Sequence, residues 1–329
     1  MVLITGAKGF VGQALCAALS AGGKRIRCVV REPDPRHDVP GTEFLAVGPI
    51  DGRTDWAPAI RDINTVIHLA ARTHRVHEAG NDLLSLYREV NTEGTRRLAE
   101  MAAKAGVKRF VFLSSVKVSG ERTSDRPFTE NDMPQPEDAY GISKWEAEQA
   151  LLNVAHATGM EAMILRPPLV YGPGVKGNFL RLMRLVAHGA PLPLASVANR
   201  RSLLYIDNLV DAIIACLNST AAPGNTYLVS DGEDASTPDL IRLLAETLGV
   251  PARLFPFPVA LLKLGAAMLG KRREIARLTD SLQIDNSKIR NALGWRPRVS
   301  LAEGLSETAR WYLKAVSGTP QRDIEKNEP

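Results

Sequence analysis

The sequence predicts an α/β protein built on a doubly wound parallel sheet, with a smaller substrate-binding region toward its C-terminal side. Three observations predict it. Apolar, strand-like runs alternate with helical patterns through the first half of the chain, the rhythm of repeated β-α-β units. A glycine-rich turn, Gly6-Ala7-Lys8-Gly9-Phe10-Val11-Gly12, follows the first apolar run and opens the first helical pattern. After Arg166-Pro167-Pro168 the rhythm breaks into a Pro- and Gly-dense stretch that reaches Pro193.

Taken in order, strands are expected at 2–5, 25–30, 42–47, 65–68, 109–113 and 161–165, and helices at 11–21, 83–105 and 143–158. Several of the strands are continuously apolar, as strands covered by helices on both faces are. Alternation returns briefly at 203–206 and 225–229, so the chain is expected to cross back to the first domain there. The expected organisation is a dinucleotide-binding domain over 1–170 with returning segments near 201–230, a mostly substrate-binding region over 171–315, and a flexible polar tail over 318–329.

Composition narrows the function. The 329 residues are 45% hydrophobic and 23% charged, ordinary globular proportions that allow a sizeable core. The formal charge is +5, but the basic residues are scattered; the densest cluster, Lys271-Arg272-Arg273, is short, and aromatics make up 5%. That pattern argues against a nucleic-acid partner and fits an anionic small substrate. Cys16, Cys28 and Cys216 form no C-x-x-C pair, so neither a disulfide framework nor a zinc site is expected, and a reducing, cytoplasmic setting is. The opening Val2-Leu3-Ile4 is strand-like and leaves no room for a signal peptide. The apolar stretch 259–269 contains Lys263 and is too short to span a bilayer. It is read first as a core or lid helix and second as a peripheral membrane helix.

The glycine turn sits where a phosphate loop must sit, between a strand and a helix. Gly6 allows the tight turn, Gly9 lets a diphosphate approach the backbone, and Gly12 lets the helix pack closely on the sheet. The helix N-terminus supplies free N–H groups and a partial positive charge. At the end of the second strand, Arg31 suits the 2′-phosphate of NADP(H), while Glu32 beside it keeps NAD(H) open.

Farther along, Tyr140-Gly141-Ile142-Ser143-Lys144 places a phenol and an ammonium four residues apart, on one face of a helix. An ammonium nearby favours phenolate and makes the pair a proton shuttle suited to hydroxyl–carbonyl chemistry. The segment Ser114-Ser115-Val116-Lys117-Val118-Ser119-Gly120 lies at a strand end upstream. In open α/β sheets ligands bind beyond the carboxyl ends of strands, where both segments are expected.

These pieces resemble the extended short-chain dehydrogenases/reductases of the nucleotide-sugar epimerase/dehydratase group. The matching segments are TGAKGFVG, HLAA at 68–71, Asn91 in NTEGT, SSVKVSG, YGISK, RPPLVYGPG at 166–174, Asn178 in GNFL, RSLLYIDNLVDAI at 201–213 and LGWRP at 293–297. The resemblance implies a Rossmann domain and catalytic roles for Ser115, Tyr140 and Lys144. Ser115 orients the reacting sugar oxygen, Tyr140 is the general acid/base, and Lys144 holds the nicotinamide ribose and tunes Tyr140. The implied cofactor contacts come from Gly6, Lys8, Gly9, Phe10, Val11 and Gly12 in the loop. Arg31, Asp51, Leu69, Ala70, Ala71 and Asn91 complete them, with Tyr140 and Lys144. Asn178 and Arg201 match positions that touch the nucleotide diphosphate, whereas Arg277 is read as a helix-surface arginine. The resemblance implies no metal, and His74 and His77 are read as loop residues near the mouth of the site. It also implies a UDP-sugar substrate and a homodimer formed through the helices at 83–105 and 143–158.

The sequence departs from the group's pattern in informative places. Some 4,6-dehydratases carry an Asp-Glu pair where Val116 and Lys117 stand. Valine cannot act as an acid, and a cationic lysine is a poor base, so dehydration is disfavoured; Lys117 is read as facing solvent. Ser119 stands where a tyrosine is common, and Pro49-Ile50 where an aspartate often holds adenine, with Asp51 as its substitute. SSVKVSG, the YGISKWEAE run at 140–148 and the overall length are together most similar to the bacterial polysaccharide branch that includes UDP-N-acetylquinovosamine 4-dehydrogenases. The expected activity is therefore NAD(P)-dependent reduction of a UDP-4-keto-6-deoxy-N-acetylhexosamine to UDP-N-acetylquinovosamine, in O-antigen and lipopolysaccharide synthesis. The alternatives are a 4-epimerase of UDP-glucose or UDP-N-acetylglucosamine and, in another class, a non-catalytic dinucleotide-binding sensor, which has no need of a proton shuttle.

Overall fold

Ten strands are described: β1 (Val2–Thr5), β2 (Ile26–Val30), β3 (Thr42–Ala46), β4 (Thr65–His68), β5 (Arg109–Leu113), β6 (Glu161–Arg166), β7 (Leu169–Tyr171), β8 (Arg201–Tyr205), β9 (Asn225–Leu228) and β10 (Asp234–Ala235). The structure is a computed structural model, and it describes residues 1–32, 41–73, 82–219 and 224–317. The expected tail at 318–329 and the histidines His74 and His77 lie outside the described residues. The twelve described helices are α1 (Phe10–Ala21), α2 (Ala57–Ile60), α3 (Leu83–Tyr87), α4 (Gly94–Lys104), α5 (Ala139–Thr158), α6 (Gly177–Ala187), α7 (Ile206–Asn218), α8 (Thr237–Leu248), α9 (Val259–Met268), α10 (Arg272–Thr279), α11 (Ser287–Leu293) and α12 (Leu301–Ser317).

Seven strands form one parallel sheet in the order β3-β2-β1-β4-β5-β6-β9. Successive side chains on a strand point to opposite faces, and here both faces are covered. Leu3, Val66, Phe110 and Phe112 pack on one side with Leu98 and Ala99 of α4 and Ala147 and Leu151 of α5. Ile4, Ile67 and Val111 pack on the other with Leu15 of α1 and Leu209 and Ile213 of α7. That double burial is why the strands are apolar without alternation. A second core joins α6, α8 and α12 to a three-stranded sheet in the order β10-β8-β7.

The elements differ from the sequence expectations in instructive ways. The segment expected as one helix over 83–105 is interrupted by a π-helical turn, Arg88–Glu93. Two side chains in that turn are pulled toward α5: Asn91 Nδ2 donates to Ser143 Oγ (2.9 Å) and Thr92 Oγ1 donates to the Ser143 carbonyl (3.1 Å). The helix expected from 143 begins at Ala139, because Asp138 Oδ1 accepts the Gly141 N–H at 2.7 Å and caps it. Residues 201–205 join the small sheet, while β9 joins the large one beside β6. The short strands β7 and β10, of three and two residues, are too brief to show a period. No helix among the described residues is long and apolar enough to cross a membrane.

A buried ion pair fixes the end of the sheet to α5. Arg166 on β6 donates from Nε and Nη2 to Glu148 on α5 at 3.0 and 2.6 Å, with side-chain exposures of 7% and 1%. Ser114 Oγ donates to the same carboxylate, and Arg166 Nη1 donates to Ser119 Oγ at 3.3 Å. Breaking such a pair leaves an uncompensated buried charge. Glu148→Leu should therefore lose about 3–5 kcal/mol of stability in urea unfolding, and the Glu148→Leu/Arg166→Met double variant distinctly less. With Arg166→Met measured alone, a double-variant loss equal to the sum of the two single losses would show that the pair carries no coupling.

Candidate active site

The strand order reverses between β1 and β4, and in open α/β sheets ligands bind outside the carboxyl ends of strands at such a point. The loop after β1 is shaped for close approach. Gly6 has φ +70°, and a Cβ built on it would lie 2.7 Å from the Ala70 nitrogen. A Cβ on Gly12 would lie 2.1 Å from the Gly6 carbonyl. Gly9 stands at the N-cap of α1, where no side chain caps the helix. Backbone N–H groups without a cap, a helix N-terminus and a cradle free of side chains together suit a diphosphate. Lys8 is exposed and Phe10 and Val11 half-buried at that lip. Leu69, Ala70 and Ala71 follow β4 directly across from it, and the Ala70 N–H donates to Thr5 Oγ1 at 3.2 Å.

Other residues expected at the cofactor divide into open and committed groups. Arg31 and Glu32 are both exposed at the carboxyl end of β2. Asp51 accepts the Arg53 N–H at 2.7 Å and so closes its own turn. Asn91 has both amide hydrogens engaged, with Ser143 Oγ and the Arg72 carbonyl (3.1 Å), and its Oδ1 accepts the Arg72 N–H at 2.7 Å. In this structure it fastens the loop after β4 to α5.

The proposed acid–base group assembles where β5 ends and α5 begins. Ser115 follows β5, and its Oγ accepts the Lys117 N–H at 3.2 Å while its hydroxyl shares a hydrogen bond with Tyr140. Tyr87 meets the Tyr140 ring edge-on at 6.2 Å. Burial raises the Tyr140 pKa above its usual value; Asp138 and Tyr87 add to the rise, and the Ser115 bond opposes it. Tyr140 is thus a proton holder at neutral pH until a cation or an incoming alkoxide changes the balance. Lys144, one turn on, is 1% exposed, with Nζ 3.9 Å from the centre of the Phe112 ring. Burial lowers its pKa to about 7, against the opposing charge of Glu148. Behind it, fully buried His68 bridges Thr5 Oγ1 (2.6 Å) and Thr95 Oγ1 (3.0 Å), and burial together with Lys144 lowers its pKa to about 3. His68 is neutral and structural.

Lys117 does not face solvent. Its ammonium binds Glu121 at 2.8 Å and the second carboxylate oxygen of Asp138. Gly141 permits this arrangement: a Cβ there would lie 2.9 Å from the Lys117 carbonyl. Neither role was readable as a motif; only the Asp138 position, an Asx residue just before a helix, carries a local signal.

A second cavity of about 110 Å³ brings together Asn178, Arg201 and Arg277 over an apolar floor that includes Phe179, Leu182 and Leu240. Arg277 is half-buried at this wall, so the expectation of a helix-surface arginine is corrected. Arg201 Nη1 donates to the Asp280 carbonyl at 2.9 Å. Burial lowers its pKa, and the like charge of Arg277 lowers it further, while Asp280 and Glu121 oppose. Two arginines kept close at some cost suit an anionic ligand. Glu121, paired with Lys117, also acts electrostatically on Arg201. Among the described residues no group of three His, Cys, Asp or Glu side chains is placed to hold a metal ion.

Comparison with known proteins gives consistent matches. The model of the "NAD dependent epimerase/dehydratase family" matches residues 2–230. A UDP-glucose 4-epimerase of Vibrio cholerae is 44% identical over 95% of this chain and 96% of its own. An N-acetyl-alpha-D-glucosaminyl-diphospho-ditrans,octacis-undecaprenol 4-epimerase of Escherichia coli O157:H7 is 27% identical over 94% of each. The solved structure of MoeE5 in complex with UDP-glucuronic acid and NAD superposes with a TM-score of 0.76 at 26% identity, covering 95% of this chain and 99% of that one.

Two predictions test this geometry. Gly141→Ala should push α5 off the Ser115 turn and lower kcat by about 10–100-fold with little change in cofactor affinity; unchanged kcat would show that the close approach is dispensable. Lys144 should also cost stability in the cofactor-free protein. Its native pKa of about 7 lies below the unfolded 10.5. Between these values the unfolded chain binds more protons, so stability rises with pH. Lys144→Met should therefore be more stable than the natural protein at neutral pH, by a margin that shrinks from pH 7 toward 10.5 in urea titrations. A pH-independent margin would refute the buried, destabilised ammonium.

Proposed function

We propose, given that the chain belongs to the NAD dependent epimerase/dehydratase family, that it interconverts UDP-hexoses at carbon 4 with NAD as a retained cofactor. The observation that carries this reading is the 44% identity to a UDP-glucose 4-epimerase across nearly the whole of both chains. It moves the preference from reduction, the first expectation from SSVKVSG, to epimerisation. Bound NAD supplies a reversible hydride acceptor. The chain's own residues manage the proton and the geometry. Ser115 orients the carbon-4 oxygen. Tyr140, as phenolate, takes its proton on oxidation and returns it on reduction. Lys144 stabilises that phenolate and holds the cofactor ribose. Arg201, Arg277 and Asn178 bind the diphosphate, which pins the nucleotide while the keto-sugar turns.

The supporting cofactor contacts are the loop Gly6–Gly12 and the segment Leu69–Ala71, within a Rossmann domain over 1–170. The lipid-linked sugar epimerase from Escherichia coli O157:H7 supports a role in polysaccharide assembly. The exposed Leu86 and Trp145 on α3 and α5 support a homodimer through those helices. A second reading, NADPH-dependent reduction of a UDP-4-keto-6-deoxy-N-acetylhexosamine, is favoured by Arg31 alone, exposed at the end of β2.

The test is to denature the purified protein, identify what it releases, and assay UDP-glucose and UDP-galactose without added reductant. Release of NAD with interconversion is expected, and Tyr140→Phe should lower the rate about 10²–10⁴-fold. An empty site, with NADPH consumed one for one with the keto-sugar, would replace epimerisation by the second reading. In either assay, Lys117→Met should move the acidic limb of the kcat profile to higher pH, because Asp138, which raises the Tyr140 pKa, loses its counter-charge. An unmoved limb would remove Lys117 from the acid–base assembly.

A further inference from the structure

Helix α9 is apolar on both of its long faces. Val259, Leu262 and Ala266 pack inward against the second core. Leu261, Leu264 and Met268 share the opposite face, at i, i+3 and i+7 spacing. These three are 54%, 60% and 81% exposed, and Leu269 beyond them is 75% exposed. The one cation within the helix, Lys263, is engaged with Asp280 at 2.7 Å. Isolated exposed leucines need no explanation, but three large apolar side chains on one face, with exposed Leu269 just past the helix end, mark an interaction surface. Gly270, with φ +68°, then turns the chain, and Lys271, Arg272 and Arg273 follow, all exposed. Among the described residues none of the three has an ion-pair partner, and the carboxylate nearest in sequence is the exposed Glu274.

We propose that this face docks on an anionic lipid bilayer surface, with Leu261, Leu264, Met268 and Leu269 entering the headgroup boundary and Lys271, Arg272 and Arg273 binding the phosphates. An apolar helical face with cations at its edge has the form of an interfacial helix. Charge complementarity chooses the occupant. A second copy of the chain would bring three more cations and one carboxylate to the contact, whereas an anionic bilayer supplies the missing negative charge. Helix α10, which follows this cluster, carries Arg277 into the wall of the arginine cavity. Docking would therefore hold that cavity close to the lipid surface. The inference is independent of which sugar is used or whether the reaction is epimerisation or reduction.

The experiment uses the full chain and cosedimentation with vesicles of phosphatidylcholine alone or with one third phosphatidylglycerol. Binding to the anionic vesicles is expected, and each cation removed from the triplet should weaken it about fivefold. The variant Leu264→Gln/Met268→Gln/Leu269→Gln should lose binding while keeping its circular dichroism, melting temperature and turnover of soluble substrate. Three outcomes would overturn the proposal. The natural protein stays in the supernatant with anionic vesicles; the triple variant still binds them; or the natural protein is a dimer that the triple variant converts to monomer, which makes the face a contact between copies.

Discussion

Asp138 uses both oxygens of one carboxylate, accepting the Gly141 N–H to cap α5 and binding the Lys117 ammonium from the turn after β5. The geometry of the candidate active site depends on that double use. The cap decides that α5 starts at Ala139, so Tyr140 and Lys144 fall in its first turns. The ion pair holds the same helix end against the turn that presents Ser115, and the bare Cα of Gly141 lets the two backbones meet. A proton shuttle needs its members within hydrogen-bond reach, and here the reach is set by backbone contacts rather than by the catalytic side chains. Local and tertiary constraints coincide at one residue, which makes the arrangement rigid before any ligand arrives.

The charges around this point are expensive, and their balance explains the site's chemistry. A buried ammonium and a phenol with a raised pKa would both be neutral in an apolar setting. Lys144 is kept near its titration point by the partly offsetting Glu148, and Glu148 is itself committed to Arg166. The Glu148–Arg166 pair thus serves two ends, fastening β6 to α5 and leaving only a residual field for Lys144. His68 lies behind and stays neutral, tied at both ring nitrogens to threonine hydroxyls. Burial, Asp138 and Tyr87 hold the proton on Tyr140, and the Ser115 bond works against them.

Much of this was legible in the chain, for physical reasons that can be separated. The glycine loop is a local device, since strand, turn and helix are adjacent in sequence; Gly9 and Gly12 answer steric demands within that segment, and Gly6 supplies its positive φ as well as room for Ala70. Tyr140 and Lys144 share a helix face, so their spacing shows the pairing directly. The continuous apolar strands announce helices on both sides. What stayed hidden depends on residues far apart in the chain. Lys117 was read as solvent-facing because nothing near it in sequence shows that Asp138 lies opposite. The sequence alone makes Arg277 a surface arginine, because Arg201, which faces the same cavity, is more than seventy positions away. The helix expected over 83–105 carries no proline and only Gly94 as a local signal, and its π-helical turn, Arg88–Glu93, follows from bonds to α5. Strands of two or three residues leave no periodic trace at all.

Arg201 and Arg277 repel one another across a half-buried cavity, and the structure tolerates it because the Asp280 carbonyl and the charge of Glu121 soften the cost. Two guanidiniums at one cavity wall are the arrangement that a bound anion relieves. The same stretch of chain, 259–280, holds the outward apolar row of α9, the exposed cations after it and Arg277. It packs on the second core through Val259, Leu262 and Leu278. A segment so placed can differ from its relatives in what it docks against without disturbing the Ser115–Tyr140–Lys144 assembly, whose geometry is fixed by β5 and α5. The turn after β5 and the chain following α10 are tied by backbone bonds from Thr123 to Ser281 and from Phe128 to Gln283, and by the packing of Val116 with Leu282 and Ile284.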